Sequence, residues 1–364
     1  MSNPLHVLVV DDSAVVREAM TAVLADGDGM TVATAPNPIV ARRRMALKRP
    51  DVIVLDLDMP EEDGLSFLRS QMAQDPIPVV ICSSHSVQGS RAALQALHDG
   101  AVDVVAKPRI GVREFVQESR IILLDAIRAA AAARLRKRGT PVPAQPSRVA
   151  PAAPAPAPVS GASSRRMIAI AASTGGPQAL HEVLAALPAD TPGIVVVQHM
   201  PAGFTTAFAK HLDERCEIAV REAEAGDEVR DGLALIAPGG RHLSLKRSRT
   251  GFAAVITDGD LVSRHRPSAD VLFRSVAEQV GGEALGVILT GMGDDGAEGL
   301  VAMKAAGAAT VAQDEATCVV YGMPKEAALR GAIDVVLPLS QVPDCITRWT
   351  KKRLRERNLT GDEQ

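Results

Sequence analysis

The stretch MIAIAASTGGPQALHEVLAAL, residues 167–187, decides how the second half of the chain reads. Six apolar residues run without a break, STGGP interrupts them, and a helical pattern follows. An apolar run of this length, bounded by glycine, is a buried strand, and the pattern behind it has helical spacing. Pro177 suits the first turn of that helix. Strand, turn and helix in this order form one half of a crossover onto a parallel neighbour. The turn leaves Ser173 at the sheet edge, and its glycines let backbone approach a ligand closely. A nucleophile turn, a phosphate-cradling loop and plain turn chemistry all fit STGGP taken alone.

The same alternation extends in both directions. Downstream, GIVVVQ (193–198), LALIAP (233–238), LGVILT (285–290) and ATVAQD (309–314) read as strands separated by helical patterns. Residues 242–257 read instead as a β-hairpin, with Thr250 and Gly251 near its turn. Upstream, HVLVV (6–10), MTVATA (30–35), VIVLD (52–56), PVVIC (78–82) and VDVVA (102–106) alternate with helices. A helical pattern over 112–138 ends in the basic run RLRKR. Residues 140–164, TPVPAQPSRVAPAAPAPAPVSGASS, are too rich in proline and alanine to bury a core and suit a semi-stiff spacer. The chain thus divides into an α/β domain over 1–135, a Pro/Ala-rich linker over 136–164 and a second α/β domain over 165–355. The first is a (βα)5 unit, and the second a doubly wound parallel sheet with an added hairpin.

Bulk composition narrows the function. The 364 residues fit two domains better than one, and 46% hydrophobic residues are enough for two cores. Aromatics at 2% argue against stacking on nucleic-acid bases. A net charge of −3 gives no electrostatic case for nucleic acid or a membrane surface. Cys82, Cys216, Cys318 and Cys345 lie far apart, without CxxC spacing, as in a reduced cytoplasmic protein. The N-terminus shows no signal-peptide pattern, and no apolar run approaches the roughly 20 residues of a membrane helix.

In open α/β sheets, ligands gather at the carboxyl ends of strands. In the first domain those ends carry Asp11 and Asp12, Asp56, Ser83 and Lys107. Three converging carboxylates repel one another unless a hard cation sits among them, and Mg²⁺ takes oxygen ligands. A carboxylate beside Mg²⁺ can attack a phosphoryl group to form an aspartyl-phosphate. Lys107 and the Ser83 hydroxyl can then hold the phosphate.

In the second domain, strand ends carry Ser173, then His199 in VVVQHMPAGF (195–204), then Asp294 and Asp295 in LTGMGDDG. Each has a bland reading: a turn, a hydrogen-bonded core histidine, a helix cap. Together they present serine, histidine and aspartate on one sheet edge, a set whose roles follow from geometry rather than chain order. Serine gains nucleophilic force only when a base takes its proton, which contributes roughly 10²–10⁴-fold. Imidazole, titrating near about 6.5, can serve, with an aspartate on its other nitrogen.

VVDDS, LDLDMPEEDG and VDVVAKP resemble the signature of a response-regulator receiver domain, with its flavodoxin-like fold. The resemblance implies Asp56 as phospho-acceptor, Asp11, Asp12 and Asp56 around Mg²⁺, Ser83 as switch hydroxyl and Lys107 as phosphate partner. One departure is plain: Val104 and Val105 stand where receivers often carry a switching aromatic.

STGGP, QHMP, APGGRH, HRPSAD, LTGMGDDG and VYGMPKEA, in this order behind a receiver, resemble the chemotaxis protein-glutamate methylesterase (CheB) family. That resemblance implies hydrolysis of γ-glutamyl methyl esters on chemoreceptors, with deamidation of receptor glutamines, through an acyl-enzyme. It implies Ser173, His199 and Asp295 as catalytic residues, with the Met292 amide as oxyanion donor and no cofactor for the esterase step. Asp295 is preferred to Asp294, which falls at a variable position of the motif. Thr174, Arg241, His242, Arg264 and Arg266 are candidates for substrate binding. The implied partners are methyl-accepting chemoreceptors and a chemotaxis histidine kinase. The receiver is expected to pack over the esterase cleft until phosphorylated.

Overall fold

The computed structural model describes residues 4–25, 29–59, 63–84, 86–107, 113–133 and 166–360. The linker read over 136–164 lies outside them. The first half runs β1 (Leu5–Val10), α1 (Ala14–Ala25), β2 (Met30–Ala35), α2 (Pro38–Leu47), β3 (Val52–Leu55) and α3 (Gly64–Gln74). It continues with β4 (Val79–Ser83), α4 (Val87–His98), β5 (Asp103–Ala106) and α5 (Arg113–Ala132). The five strands are all parallel, in the order β2-β1-β3-β4-β5. Alternate residues face opposite layers: Leu8, Val10, Ile53 and Leu55 enter one core, and Val7, Val9, Val52 and Val54 the other. That is why these strands read as unbroken apolar runs. Asn37 and Ser86 cap their helices by accepting from Val40 N–H and Gly89 N–H.

The second half begins with β6 (Met167–Ala172), α6 (Gly176–Leu184), β7 (Ile194–Gln198), α7 (Phe204–Asp213) and β8 (Ala219–Glu222). Then come β9 (Glu228–Val229), β10 (Leu233–Ile236), β11 (His242–Arg247), β12 (Phe252–Thr257) and α8 (Ala269–Gln279). The rest is β13 (Ala284–Ile288), α9 (Ala297–Ala305), β14 (Ala309–Gln313), α10 (Met323–Leu329), β15 (Val335–Leu337) and α11 (Val342–Thr360). A seven-stranded parallel sheet has the order β15-β14-β13-β6-β7-β10-β8. The hairpin read at 242–257 is β11 and β12, and β9 joins it in a small antiparallel sheet. β8 and β15 are additional edge strands that the periodicity did not reveal. Both are short and largely solvent-facing: β8 is AVRE, half of it charged, and β15 is only the three residues VVL, too brief to stand out as a strand.

The two sheets are docked through helices. The α4 residues Leu94 and Leu97 share one continuous core with Leu180 of α6 and Phe208 of α7. Polar links flank this seam: Gln178 Nε2 donates to Leu97 O at 2.5 Å, and Ser90 Oγ to Gly203 O at 3.4 Å. Leu94, Leu97, His98, His181 and His211 also line a small crevice on the seam. Burial, Arg215 and His98 hold His181 below the ordinary imidazole range. Burial, Arg215 and His181 do the same to His211.

Because their pKa values are depressed in the folded chain, these histidines contribute stability that is present above the ordinary value and lost as pH falls through it. Lowering the pH from about 7.5 to about 5.5 should therefore weaken this seam. The fall in thermal midpoint should be smaller in the double variant His181→Gln, His211→Gln. Equal falls in both proteins would refute this account.

Candidate active site

Strand register brings the candidate residues together. β6 and β7 pair with Ala172 opposite Gln198, so the next pair in register is Ser173 and His199. His199 N–H donates to Ala172 O at 3.0 Å, and Ser173 N–H to Thr290 O at 3.0 Å, which fixes the ends of β6, β7 and β13 side by side. The strand order reverses between β6 and β13, so Ser173 lies at the topological switch point where α/β sheets open a crevice. Gly175 adopts φ +77° as it caps α6, directly behind the serine. Gly291 packs so closely that a Cβ there would stand 2.7 Å from Ser173 Cβ.

Asp295 is fully buried and anchors the histidine. His199 Nε2 lies 2.8 Å from Asp295 Oδ2. The same carboxylate accepts from Ser268 Oγ at 2.7 Å, Ala269 N–H at 2.7 Å and Asp270 N–H at 3.1 Å. Those donors are the N-terminus of α8, whose positive end favours a carboxylate. Burial opposes the charge on Asp295, but the bonds from His199 and Ser268 hold the carboxyl below its ordinary range. An ionised carboxylate only accepts, so His199 Nε2 must carry the proton. Nδ1 is then a bare acceptor; it is buried and has no hydrogen-bond partner among the described residues. Asp294, its neighbour, instead pairs with Arg330 at 3.0 Å.

One cleft of about 380 Å³ is lined by Ser173, Thr174, His199 and Met292. Arg264, His265 and Arg266 line it as well. Its opposite wall is the receiver: Asp103, Val104 and Val105 from β5, with Ile121, Ile122 and Asp125 from α5. Arg264 reaches toward Asp125 at 3.8 Å. Arg241 and His242 do not line the cleft. Arg241 pairs with Asp258 at 2.6 Å, and buried His242 bonds Asp260 O and Ser268 N–H, bracing the α8 cap.

His265 went unremarked in the sequence. It stacks on His199 with ring centroids 3.9 Å apart and planes within 9°. Its position comes from a tight turn in which Val262 and His265 exchange backbone hydrogen bonds. Ser263 and Arg264 take positive φ of 50° and 66° there without a glycine, so no turn signature marked it. Nδ1 of His265 bonds Ser263 O at 2.6 Å. Burial and nearby His199 push this imidazole down to about 3, so it stays neutral near pH 7. Although His199, His265 and Asp295 crowd within 4.8 Å, both oxygens of Asp295 are already filled by donors, which leaves little for a metal.

The receiver has its own site at the reversal between β1 and β3. Carboxylate oxygens of Asp11, Asp12 and Asp56 lie within 4.8 Å of one another. Lys107 Nζ sits 2.7 Å from Asp56 Oδ2 and 3.0 Å from Asp11 Oδ2. Burial raises the Asp11 carboxyl against the pull of Lys107. Burial lowers Lys107, yet its bonds to Asp56 and Asp11 outweigh that and leave it raised. Ser83 Oγ is buried beside them, without a hydrogen-bond partner among the described residues. Three carboxylates against one ammonium leave a negative surplus in an all-oxygen pocket, which fits a hard divalent cation.

Two parallel α/β sheets, each with polar side chains at its switch point, fit the class of a response regulator with an enzymatic output domain. Residues 168–346 match the family model for CheB methylesterase, and residues 7–118 that for the response regulator receiver domain. A protein-glutamate methylesterase/protein-glutamine glutaminase 5 from Anaeromyxobacter dehalogenans is 54% identical over 351 residues, covering 95% of this chain and 97% of its own length. A similarly named protein from Rhodopseudomonas palustris is 51% identical over 349 residues, covering 95% of this chain and 96% of its own. The crystal structure of the Thermotoga maritima CheB methylesterase catalytic domain superposes with a TM-score of 0.50 at 41% identity, over 51% of this chain and 99% of that one. The chain belongs to the CheB methylesterase family, as the resemblance in its motifs implied.

Removing Asp295 orphans an imidazole and the α8 donors in a buried place. Asp295→Ala should cost about 3 kcal/mol or more in urea unfolding. Asp294→Ala, which removes a partly exposed ion pair, should cost about 1 kcal/mol or less. Equal costs would reject the inequality of these two neighbours.

Proposed function

We propose that this chain is a receiver-controlled hydrolase that converts γ-methyl esters of glutamate on chemoreceptors to glutamate, and receptor glutamines likewise. The observation that carries this reading is the His199–Asp295 pair, whose spare ring nitrogen is buried, bare and in the cleft that Ser173 lines. Ser173 Oγ attacks the γ-carbonyl carbon while His199 Nδ1 takes its proton. Asp295 stabilises the imidazolium across the 2.8 Å bond. The Met292 amide, in the turn after β13, and the N-terminus of α6 stabilise the oxyanion. The imidazolium then protonates the leaving methoxy oxygen or amide nitrogen as its bond to carbon breaks, releasing methanol or ammonia. Water attacks the acyl-serine, giving its proton to Nδ1, and the glutamate carboxylate leaves with Ser173 restored. Thr174, Arg264 and Arg266 line the cleft and are the substrate-facing members of the expected binding set.

In the receiver, Asp56 is the phospho-acceptor. Asp11, Asp12 and Asp56 would hold Mg²⁺, which supplies charge neutralisation for the transferring phosphoryl oxygens. Lys107 and Ser83 hold the phosphate once it is on Asp56. A histidine kinase fits as phosphodonor. With β5 and α5 walling the cleft, a receptor helix cannot reach Ser173 until the receiver moves.

Methanol release from methylated receptor membranes tests the chemistry. Ser173→Ala should lower it by about 10³-fold or more while the protein stays folded. Release near the wild-type rate would reject the serine as nucleophile. For the receiver, Asp56→Asn should abolish stimulation by a small phosphodonor such as acetyl phosphate. Stimulation equal to wild type would move the phosphorylation site elsewhere.

A further inference from the structure

Asp103 opens β5, one of the two edge strands of the receiver sheet, and its side chain crosses the domain boundary. Thr174 Oγ1 donates to Asp103 Oδ2 at 2.5 Å. The other oxygen, Oδ1, accepts from Val104 N–H at 2.8 Å, which fixes the carboxyl on its own strand. Thr174 immediately follows Ser173 in the chain, and all three residues line the same cleft. The receiver therefore does more than cover the active site: it places a carboxyl group inside it.

We propose that Asp103 is an internal competitor for the substrate's γ-carboxyl group, occupying the Thr174 hydroxyl beside the nucleophile until the receiver withdraws. This rests on the esterase reading above and specifies its regulation. The chemistry is matched: the group that enters is a glutamyl ester or amide, the group that leaves is a carboxylate, and Asp103 presents a carboxyl on a short stem. With Thr174 donating to Asp103, its hydroxyl proton is unavailable to a γ-carbonyl oxygen.

The contact is built to yield. Burial pushes the Asp103 carboxyl up to about 6, against the pull of Thr174, Val104 N–H and His199. Near neutral pH the closed arrangement therefore holds a carboxylate that would be better solvated outside. β5 is hydrogen-bonded to a sheet neighbour on one side only, β4, so its outer edge carries no ladder bonds within the receiver sheet. Lys107, directly after this four-residue strand, grips Asp56 and Asp11. A phosphoryl group on Asp56 thus acts on the residue that ends the strand Asp103 begins.

The test uses the full-length chain, unphosphorylated and then with acetyl phosphate, and reads methanol release from methylated receptor membranes. Asp103→Ala should raise the unphosphorylated rate about fivefold to tenfold, the scale of one lost hydrogen bond, and leave the phosphorylated rate unchanged. Asp103→Asn should remain inhibited, because its amide oxygen can still accept the Thr174 hydroxyl proton, giving up the bond from Val104 N–H. An unphosphorylated Asp103→Ala rate equal to wild type, or Asn and Ala variants that behave alike, would overturn the proposal. Hydrogen exchange on the wild-type protein needs no variant. Amides of 103–106 and 173–176 should lose protection together on phosphorylation, and retention at 103–106 while activity rises would overturn the proposal as well. Should the esterase reading itself be wrong, the phosphorylated wild type would release no methanol, an outcome separate from any of these.

Discussion

A single buried carboxylate organises the output domain. Asp295 collects donors from the α8 cap and from His199, and thereby joins the β13–α9 turn, the turn before α8 and the end of β7. Each donor would be costly to leave unpaired, so the three segments are held in one arrangement. The histidine tautomer follows from the same arrangement, because an ionised acceptor on Nε2 leaves Nδ1 free as a base. His265, neutral and stacked on the ring, restrains the imidazole plane from the side that Asp295 does not reach.

Both chemical centres sit where strand order reverses: between β1 and β3 in the receiver, between β6 and β13 in the output domain. At a reversal, the helices after adjacent strands leave on opposite faces, so the carboxyl edge is open and loop residues converge there. The two domains repeat one solution with different side chains. In the receiver the opening gathers carboxylates and a lysine for a phosphoryl group and a cation. In the output domain it gathers a hydroxyl, an imidazole and a helix N-terminus for an acyl group. The docking between them is asymmetric: the receiver contributes α4, β5 and α5, while its carboxylates stand at the ends of β1 and β3.

Most of this was legible in the sequence because strands buried on both faces must be apolar throughout, and polar residues then mark their ends. The ten strands read from apolar runs all formed; Ser173, His199, Asp11, Asp56 and Lys107 each directly follow a strand, and Asp295 lies in the turn after β13. What was not legible has a common cause. β8 and β15 border the sheet and face solvent; β8 is interrupted by charges, and β15 is apolar but only three residues long. His265 sits in a turn made without glycine, beside the substrate-binding candidates Arg264 and Arg266, and nothing in its spacing singles it out. Asp103 looked like the polar start of a strand, and only the docking of two domains gives its carboxyl a partner. Pairings across a domain boundary leave no periodic trace in either domain.

That boundary is balanced between opposed charges. Along the α4 seam, His181 and His211 are depressed by burial and by the neighbouring Arg215, so closure weakens as pH falls through the ordinary imidazole range. At the cleft, Asp103 is raised, so its contribution is full at low pH and fades as pH climbs through about 6. Around it stand His199, His265, Arg264, Arg266, Asp125 and Arg128. Of these, the arginines stay cationic and His265 stays neutral near pH 7, so Asp103 is the group there whose charge state closure itself perturbs upward. The two limbs penalise closure from opposite sides, and the apolar contact of Leu94 and Leu97 with Leu180 and Phe208 must outweigh both. The smaller that surplus, the more readily the interface opens. A small surplus is what a single phosphoryl group needs to oppose, since a switch can shift an equilibrium only by its differential free energy for the two states.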